Sequence, residues 1–398
     1  MTIILVLQKR LKMNIFFESK KIAMWSFRLT DIKGEEAIVT ESGLLDAKRR
    51  IDAFHQHDPE KVMYYQRITN FLDPFKTLLY QERKHSMRPK TMTNAWLKCW
   101  ELIHAYDLIP NEQTSPFRVF CNAELPGAFI FAIDHYIKTR TFINYEWFAN
   151  SLYPTNASIL GDEFGLYRSY PDHWLMNETN GGSVTDLDMI SHIQERLGGT
   201  VDLYTSDIGV GLDQDTFHLQ EEKHGPLHLG QIICALLTLK KGGHMVCKMF
   251  MFFKPFSRML LFMLKDVFDE LYISKPATSR PGNSEVYLVG KGYKPNHDLA
   301  VRLGVMLATW NDASIDYSEE IPETFERMLH AVSNKIYSQQ IQTIEQHIKD
   351  VSCLFEAGIP TQNVPVRKHL PRICKDERRI LSEWRKNYFI PVNNGVYL

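Results

Sequence analysis

Lys248 stands inside a run of bulky apolar residues, Met245 to Phe253, bounded by Gly242-Gly243 before it and Pro255 after it. That short run predicts a buried strand. An ammonium buried there is costly unless a partner or a task holds it, so Lys248 asks for a carboxylate. Glu285 is the natural candidate. It opens a predicted strand, Glu285 to Val289, after the turn-rich Ser279-Arg280-Pro281-Gly282-Asn283, which places it at a sheet rim. A second carboxylate, Asp207, ends the predicted strand that starts at Val201. At the carboxyl end of a parallel strand it faces the crevice where α/β proteins bind ligands, and a turn or capping aspartate occupies the same kind of place. Amines held by carboxylates in a dry cleft can take up a proton or stabilise a developing alkoxide.

The elements that position these groups follow from pattern. Thr93 or Asn94 caps a helix in which Trp96, Trp100, Ile103 and Tyr106 are spaced for burial. Lys98 lies on that helix, and spacing alone reads it as a surface lysine on an amphipathic helix. Phe117 to Cys121 predicts a strand, Asn122 to Pro126 a tight loop, and Gly127 onward a helix. A strand, glycine loop and helix in that order bring backbone and a helix N-terminus close to a nucleoside cofactor. The loop lacks the three-glycine fingerprint of a nicotinamide dehydrogenase. A helix is expected over 226–241, with Lys240 and Lys241 at its C-terminus and Gly242 as its stop. The stretch 145–187 reads as loop-rich, and its aromatics, Trp147 and Trp174 among them, either stack bases or pack a long ordered loop. Residues 81–90 and 366–392 are basic; the first reads as a solvated loop, the second as a charged helix packed by Trp384 and Tyr388 or as the wall of an RNA groove.

Composition sets the limits. The 398 residues carry 46 Lys and Arg against 47 Asp and Glu, a formal net charge of -1, so any RNA site is a local patch. The six cysteines show no Cys-x-x-Cys pair and no His spacing of a zinc site, and cytosol-like reducing surroundings are the default. The apolar run Ile3 to Leu7 is too short to span a bilayer, and no cleavage site follows it.

Four blocks of the chain resemble the FtsJ-like ribose 2'-O-methyltransferases. Asn94-Ala-Trp-Leu-Lys-Cys-Trp-Glu101 is similar to the helix that carries the family's first catalytic lysine, followed three residues later by a glutamate. Ala123-Glu-Leu-Pro-Gly-Ala-Phe129 resembles the loop that cradles the methyl donor, one residue longer than its usual form. Asp207 ends the matching strand, and Lys275-Pro-Ala-Thr-Ser-Arg-Pro-Gly-Asn-Ser-Glu-Val-Tyr-Leu-Val289 is similar to the cap-specific branch that methylates the second transcribed nucleotide and to its relatives in large DNA viruses. The resemblance implies a catalytic set of Lys98, Asp207, Lys248 and Glu285, with Lys248 as base or clamp on the ribose hydroxyl. It implies S-adenosyl-L-methionine at Asn122, Pro126, Gly127, Ala128, Phe129, Ser183 and Asp207. Ser183 stands where relatives carry an aspartate for the adenine end, and Asp186 is the nearest substitute.

The fold implied is α/β, a doubly wound Rossmann-like seven-stranded methyltransferase sheet ending in an antiparallel hairpin around 269–290. The expected organisation is a mostly helical extension over 1–90, a methyltransferase core over 91–310 and a helical extension over 311–398. RNA, in particular a capped mRNA 5' end, is the expected partner, with a capping-complex subunit as a further one and no membrane. The expected setting is cytoplasmic, either host cytoplasm or virion for a viral chain. The competing reading is a non-catalytic RNA-binding or capping-complex subunit that keeps the fold.

Overall fold

Seven strands form one mixed sheet: β1 Trp25–Arg28, β2 Phe117–Asn122, β3 Tyr145–Asn150, β4 Val201–Ser206, β5 Leu239–Met249, β6 Phe268–Lys275 and β7 Val286–Tyr293. Their spatial order is β1-β6-β7-β5-β4-β2-β3. β3, β2, β4 and β5 run parallel, β7 is antiparallel to β5, and β6 and β7 form the expected antiparallel hairpin. The computed structural model describes residues 25–29, 40–56, 58–155, 159, 161–209, 220–310, 321–361, 366 and 368–392. The apolar run Ile3 to Leu7 lies outside them.

Helices cover both faces of the sheet, as the doubly wound reading requires. On one face lie α3 Pro74–Arg83, α4 Asn94–Tyr106, α5 Ala128–Arg140 and the late helix Pro371–Tyr388, which share a core with Val119, Leu203, Val246, Tyr287 and Val289. Before α3 come α1 Glu41–His55 and α2 Pro59–Leu72, and after α5 the short α6 Leu166–Ser169. The opposite face carries α7 Leu187–Leu197, α9 Gly225–Thr238, α10 Pro255–Leu264, α11 His297–Ala308 and α12 Glu323–Glu356, packed on Tyr204, Met245, Cys247, Met249 and Leu288. The four-residue α8, Gln220–Lys223, precedes α9, and Pro371–Tyr388 is α13. Strand residues alternate between faces. In β5 this puts Met245, Cys247 and Met249 toward α9 and α10 and leaves Val246 and Lys248 toward α4. Among the described residues no helix is long and apolar enough to cross a membrane.

Four local expectations change. The helix predicted over 226–241 stops at Thr238, and Lys240, Lys241, Gly242 and Gly243 begin β5 instead. Pairing with β4 outweighs helical pattern there: Lys240 forms an ion pair with Asp202, and a Cβ at Gly243 would stand 2.9 Å from the Val201 carbonyl oxygen. The predicted strand also ends at Met249 rather than Phe253. Buried Glu221 accepts the backbone N–H groups of Phe253 and Lys254 at 3.1 and 2.8 Å and draws that segment off the ladder. Within the stretch read as loop-rich, Tyr145–Asn150 is a strand, because β2 offers a parallel partner from Phe117↔Tyr145 to Asn122↔Asn150. Lastly, the N-terminal part contributes β1, which covers the free edge of β6.

Candidate active site

Sheet register brings the predicted catalytic groups together. Ser206 pairs with Cys247 and Lys248 with Tyr287, so Asp207, just past the end of β4, comes beside Lys248. The Lys248 amine donates to the Asp207 main-chain oxygen at 2.7 Å and lies 3.2 Å from its Oδ1. Tyr287 donates its hydroxyl to the same Oδ1 at 2.7 Å. Gly209 leaves room for the amine, since a Cβ there would approach Nζ to 3.0 Å. Gln231 donates to the Lys248 carbonyl at 2.9 Å and pins the strand from the α9 side.

Helix α4 carries the other lysine. Thr93 caps it by accepting from the Trp96 N–H at 3.2 Å. One turn on, the Lys98 amine donates to both oxygens of Glu285 at 3.0 and 2.9 Å. Glu285 precedes β7 by one residue and accepts from the Ser279 hydroxyl at 2.9 Å. Burial works against the Lys98 ammonium, yet the charges of Asp207 and Glu285 outweigh it and raise its pKa. Burial likewise works against the Glu285 carboxylate, but Lys98, Lys248 and Lys275 bring its pKa down to about 2. All four groups are buried or nearly so, and their charges act on one another. Such an assembly can hold a hydroxyl and stabilise negative charge developing on its oxygen.

Lys275 and Glu124 escaped the sequence reading, and Glu101, marked there only as the glutamate three residues after Lys98, gains a structural task. Lys275, at the end of β6, is buried and donates to the Glu285 and Asn283 carbonyls at 2.7 and 2.9 Å and to the Asn283 side chain. Burial brings its pKa down to about 7. Lys275 therefore fixes the backbone that aims Glu285. Glu101, fully buried, accepts from the Ala277 and Thr278 N–H groups at 2.7 and 3.0 Å and from the Thr278 hydroxyl at 2.8 Å. It thereby ties the 276–284 loop to α4, and the indole N–H of Trp384 on α13 also lies 3.3 Å from it. Glu124 is the third. Its place inside the Ala123–Phe129 loop, which resembles a family motif, was its only signal in the sequence.

The glycine loop sits at the carboxyl ends of β2 and β3. Gly127 has φ 114°, and a Cβ there would meet Leu166 at 2.7 Å. Pro126 precedes it, and Ala128 and Phe129 begin α5. Glu124 accepts from the Phe129 and Ile130 N–H groups at 2.7 and 3.2 Å. Burial and the nearby Asp207 charge push its pKa up to about 8, with those two hydrogen bonds working the other way. Asn122 donates to the Tyr204 hydroxyl at 3.0 Å and accepts from Asn150 at 3.1 Å. Asn150 also donates to the Gly182 carbonyl at 2.9 Å, which brings the 182–183 turn to the same strand ends, while its Oδ1 is buried without a protein partner. Ser183 shares a 2.8 Å hydrogen bond with Thr185. Asp186 caps α7 through the Asp188 N–H at 3.0 Å. The aromatics of 145–187 pack chiefly on one another: Trp147 stacks on His173 with centroids 4.4 Å apart, and Trp147 and Trp174 are buried.

Comparison with known proteins identifies the family. The model of the FtsJ-like methyltransferase family matches residues 91–293. The protein named Probable methyltransferase EP424R of African swine fever virus, isolate Pig/Kenya/KEN-50/1950, is 36% identical over 249 residues, 59% of this chain and 57% of that protein. Cap-specific mRNA (nucleoside-2'-O-)-methyltransferase 2 of Pongo abelii is 29% identical over 324 residues, 78% of this chain and 40% of that protein. This chain thus spans about half the length of these relatives. A solved structure from Plasmodium falciparum named as a ribosomal RNA methyltransferase superposes with TM-score 0.33 at 16% identity, covering 51% of this chain and 99% of its own. On the family match and the sheet that bears it, the chain belongs to the FtsJ-like methyltransferases.

Proposed function

We propose that the chain is an S-adenosyl-L-methionine-dependent RNA ribose 2'-O-methyltransferase acting at the 5' cap region of mRNA. The observation that carries this reading is the convergence of Lys98, Asp207, Lys248 and Glu285 beside the Gly127 loop. The residues present fit the cofactor. S-adenosyl-L-methionine is cationic at its sulfonium, and Asp207 and the buried Glu124 stand at that loop. Burial and the Asp207 charge raise the pKa of Glu124, and a cation beside it would favour its ionised form. The open Oδ1 of Asn150 accepts a donor at the same strand ends. Asn122, Pro126, Gly127, Ala128, Phe129 and Ser183 line the loop and the adjoining turn. When bound, the cofactor supplies the methyl group.

The protein's own part is alignment and charge. As an ammonium, Lys248 keeps one N–H beyond its two contacts with Asp207, so it donates to the ribose 2'-oxygen and stabilises the negative charge that develops there. In its neutral form the same amine takes the hydroxyl proton on its lone pair. Asp207 and Tyr287 fix the amine. Lys98 stays charged against Glu285 and adds positive potential where an alkoxide develops. The cap assignment rests on the likeness to the cap-specific relative and on the 275–289 wording. We further assign the core to 91–310 and the flanking extensions to 1–90 and 311–398, with cytoplasm or virion as the setting.

One observation favours a non-catalytic RNA-binding subunit: no carboxylate stands at Ser183, whose hydroxyl is engaged by Thr185. Titration calorimetry with S-adenosyl-L-methionine separates the two, since the enzyme binds it and the subunit gives no heat. Incubation with cofactor and capped RNA, followed by nuclease digestion and mass spectrometry, tests the activity. The expected product is a 2'-O-methyl nucleoside within the first transcribed nucleotides. Methylation of a base or of the cap guanine alone refutes the assignment.

A further inference from the structure

Two basic stretches outside the family-matched span come together in space. Residues 81–90 and 371–388 hold ten Lys or Arg against four Asp or Glu, while the whole chain is at -1. Arg385 of α13 joins them by donating to Gln81 and Glu82 of α3 at 2.7 and 2.9 Å. A cavity of about 560 Å³ opens along the α3–α13 seam, lined in part by Gln81, Arg378, Ser382 and Lys386. A second, of about 510 Å³, is lined by Arg83, Pro89, Lys90, Glu163 and Phe164. Arg83 is held in place by two hydrogen bonds to the Met92 carbonyl, at 2.8 and 2.6 Å.

One end of this surface packs on α5 beside the Gly127 loop. The Arg88 guanidinium lies 5.5 Å over the ring of Phe131, and Phe164 meets Phe131 edge-on at 6.0 Å. Phe131 is on the first turn of α5, one turn beyond Gly127. Met92, which receives Arg83, stands just before the N-cap of the helix that carries Lys98. Between the cations, Tyr80 and Met87 are 64% and 75% exposed, and the Lys84 amine stands 4.3 Å from the Tyr80 ring.

We propose that α3, the 84–90 loop and α13 form a docking surface for single-stranded RNA, which holds the nucleotides flanking the ribose at Lys248. The identification follows from chemistry. Spaced cations suit phosphates, and an exposed tyrosine among them offers a face on which a base stacks, a use that an acidic peptide does not make of it. A strand whose ribose reaches the lysine cluster leaves across this face. The inference rests on RNA being the substrate. It also gives the extensions a task that the matched core does not perform.

The test uses the full chain and a fluorescein-labelled single-stranded RNA of about 20 nucleotides, read by anisotropy across a salt series. The triple variant Lys84→Gln, Lys90→Gln, Lys386→Gln, all at exposed positions, is expected to bind about tenfold more weakly, with a log–log salt slope smaller by about 2. Tyr80→Ala is expected to weaken binding about fivefold with the slope unchanged. Wild-type affinity and slope in both variants overturn the proposal. Transfer by the wild-type protein to a capped trinucleotide is measured separately. If transfer fails while the variants lose RNA binding, the surface stands and the enzymatic reading falls. If transfer succeeds while the variants bind RNA as the wild type does, the enzymatic reading stands and the surface falls.

Discussion

The two lysine–carboxylate pairs of the site are built differently. Lys98 and Glu285 are closed on each other: both carboxylate oxygens take the ammonium, Ser279 adds a third donor, and Lys275 grips the backbone on either side. Lys248 and Asp207 are looser, with the amine on a main-chain oxygen and only 3.2 Å from the carboxylate, half of which Tyr287 occupies. Asp207 is also the more exposed carboxylate, 18% against 10% for Glu285. Each ammonium makes two contacts and keeps one N–H, so the pairs differ at their carboxylates. Glu285 is closed on its lysine and serves as a fixed charge, while the more open side at Asp207 is what favours the proposed placing of the hydroxyl at Lys248 rather than at Lys98.

The contrast is broken most directly by removing each carboxylate in turn. Glu285→Gln leaves the buried Lys98 ammonium without its paired anion and is expected to cost about 3–5 kcal/mol in urea unfolding. Asp207→Asn keeps the main-chain acceptor of Lys248 and should cost about 1–2 kcal/mol. Equal losses would erase the distinction. The same pair has a pH signature. With its pKa lowered from 4.5 to about 2 in the folded state, Glu285 contributes its stability in full above pH 4.5 and loses it as pH falls toward 2. Wild type and Glu285→Gln should therefore converge in stability across that window.

Glu124 gives the opposite slope. Its folded pKa is raised from 4.5 to about 8, so the folded state binds the extra proton and stability without cofactor declines as pH rises through that range. Glu124→Gln should lack this decline in thermal melts and should weaken S-adenosyl-L-methionine binding in calorimetry. An unchanged pH slope would show that the carboxyl is already ionised there. The smallest effect is expected from Tyr287→Phe, which removes one donor from Asp207 and should cost about 1 kcal/mol. A larger loss would mean that Asp207 depends on this tyrosine as Glu285 depends on Lys98.

How much of this was legible in the sequence differs between the pairs as well. Lys248 announced itself, since a charge inside an apolar run violates the pattern of a buried strand and demands a reason. The partner proposed for it from the sequence, Glu285, instead binds Lys98, while the contacts of Lys248 are with Asp207; strand order and register decide such pairings, and local pattern does not contain them. Lys98 looked like a surface residue because its helix face is covered by β7 and the 276–284 loop, both distant in sequence. Lys275 was invisible for the same reason, and Glu101 was marked only through the resemblance, with its hold on the 276–284 loop unseen. The sheet and its terminal hairpin were foreseen through the resemblance. The early start of β5 was hidden by Leu239 and Lys240, which continue a helical pattern that ends only because β4 offers Asp202 as a partner.

The proposed action of Lys248 on the ribose hydroxyl is tested by tritium transfer from labelled S-adenosyl-L-methionine to capped RNA, comparing wild type with Lys248→Ala at matched fold, as judged by circular dichroism. The expected result is transfer by the wild type and a fall of about 10²–10⁴-fold in the variant, with cofactor binding retained. Equal labelling of the RNA by both proteins would contradict the account.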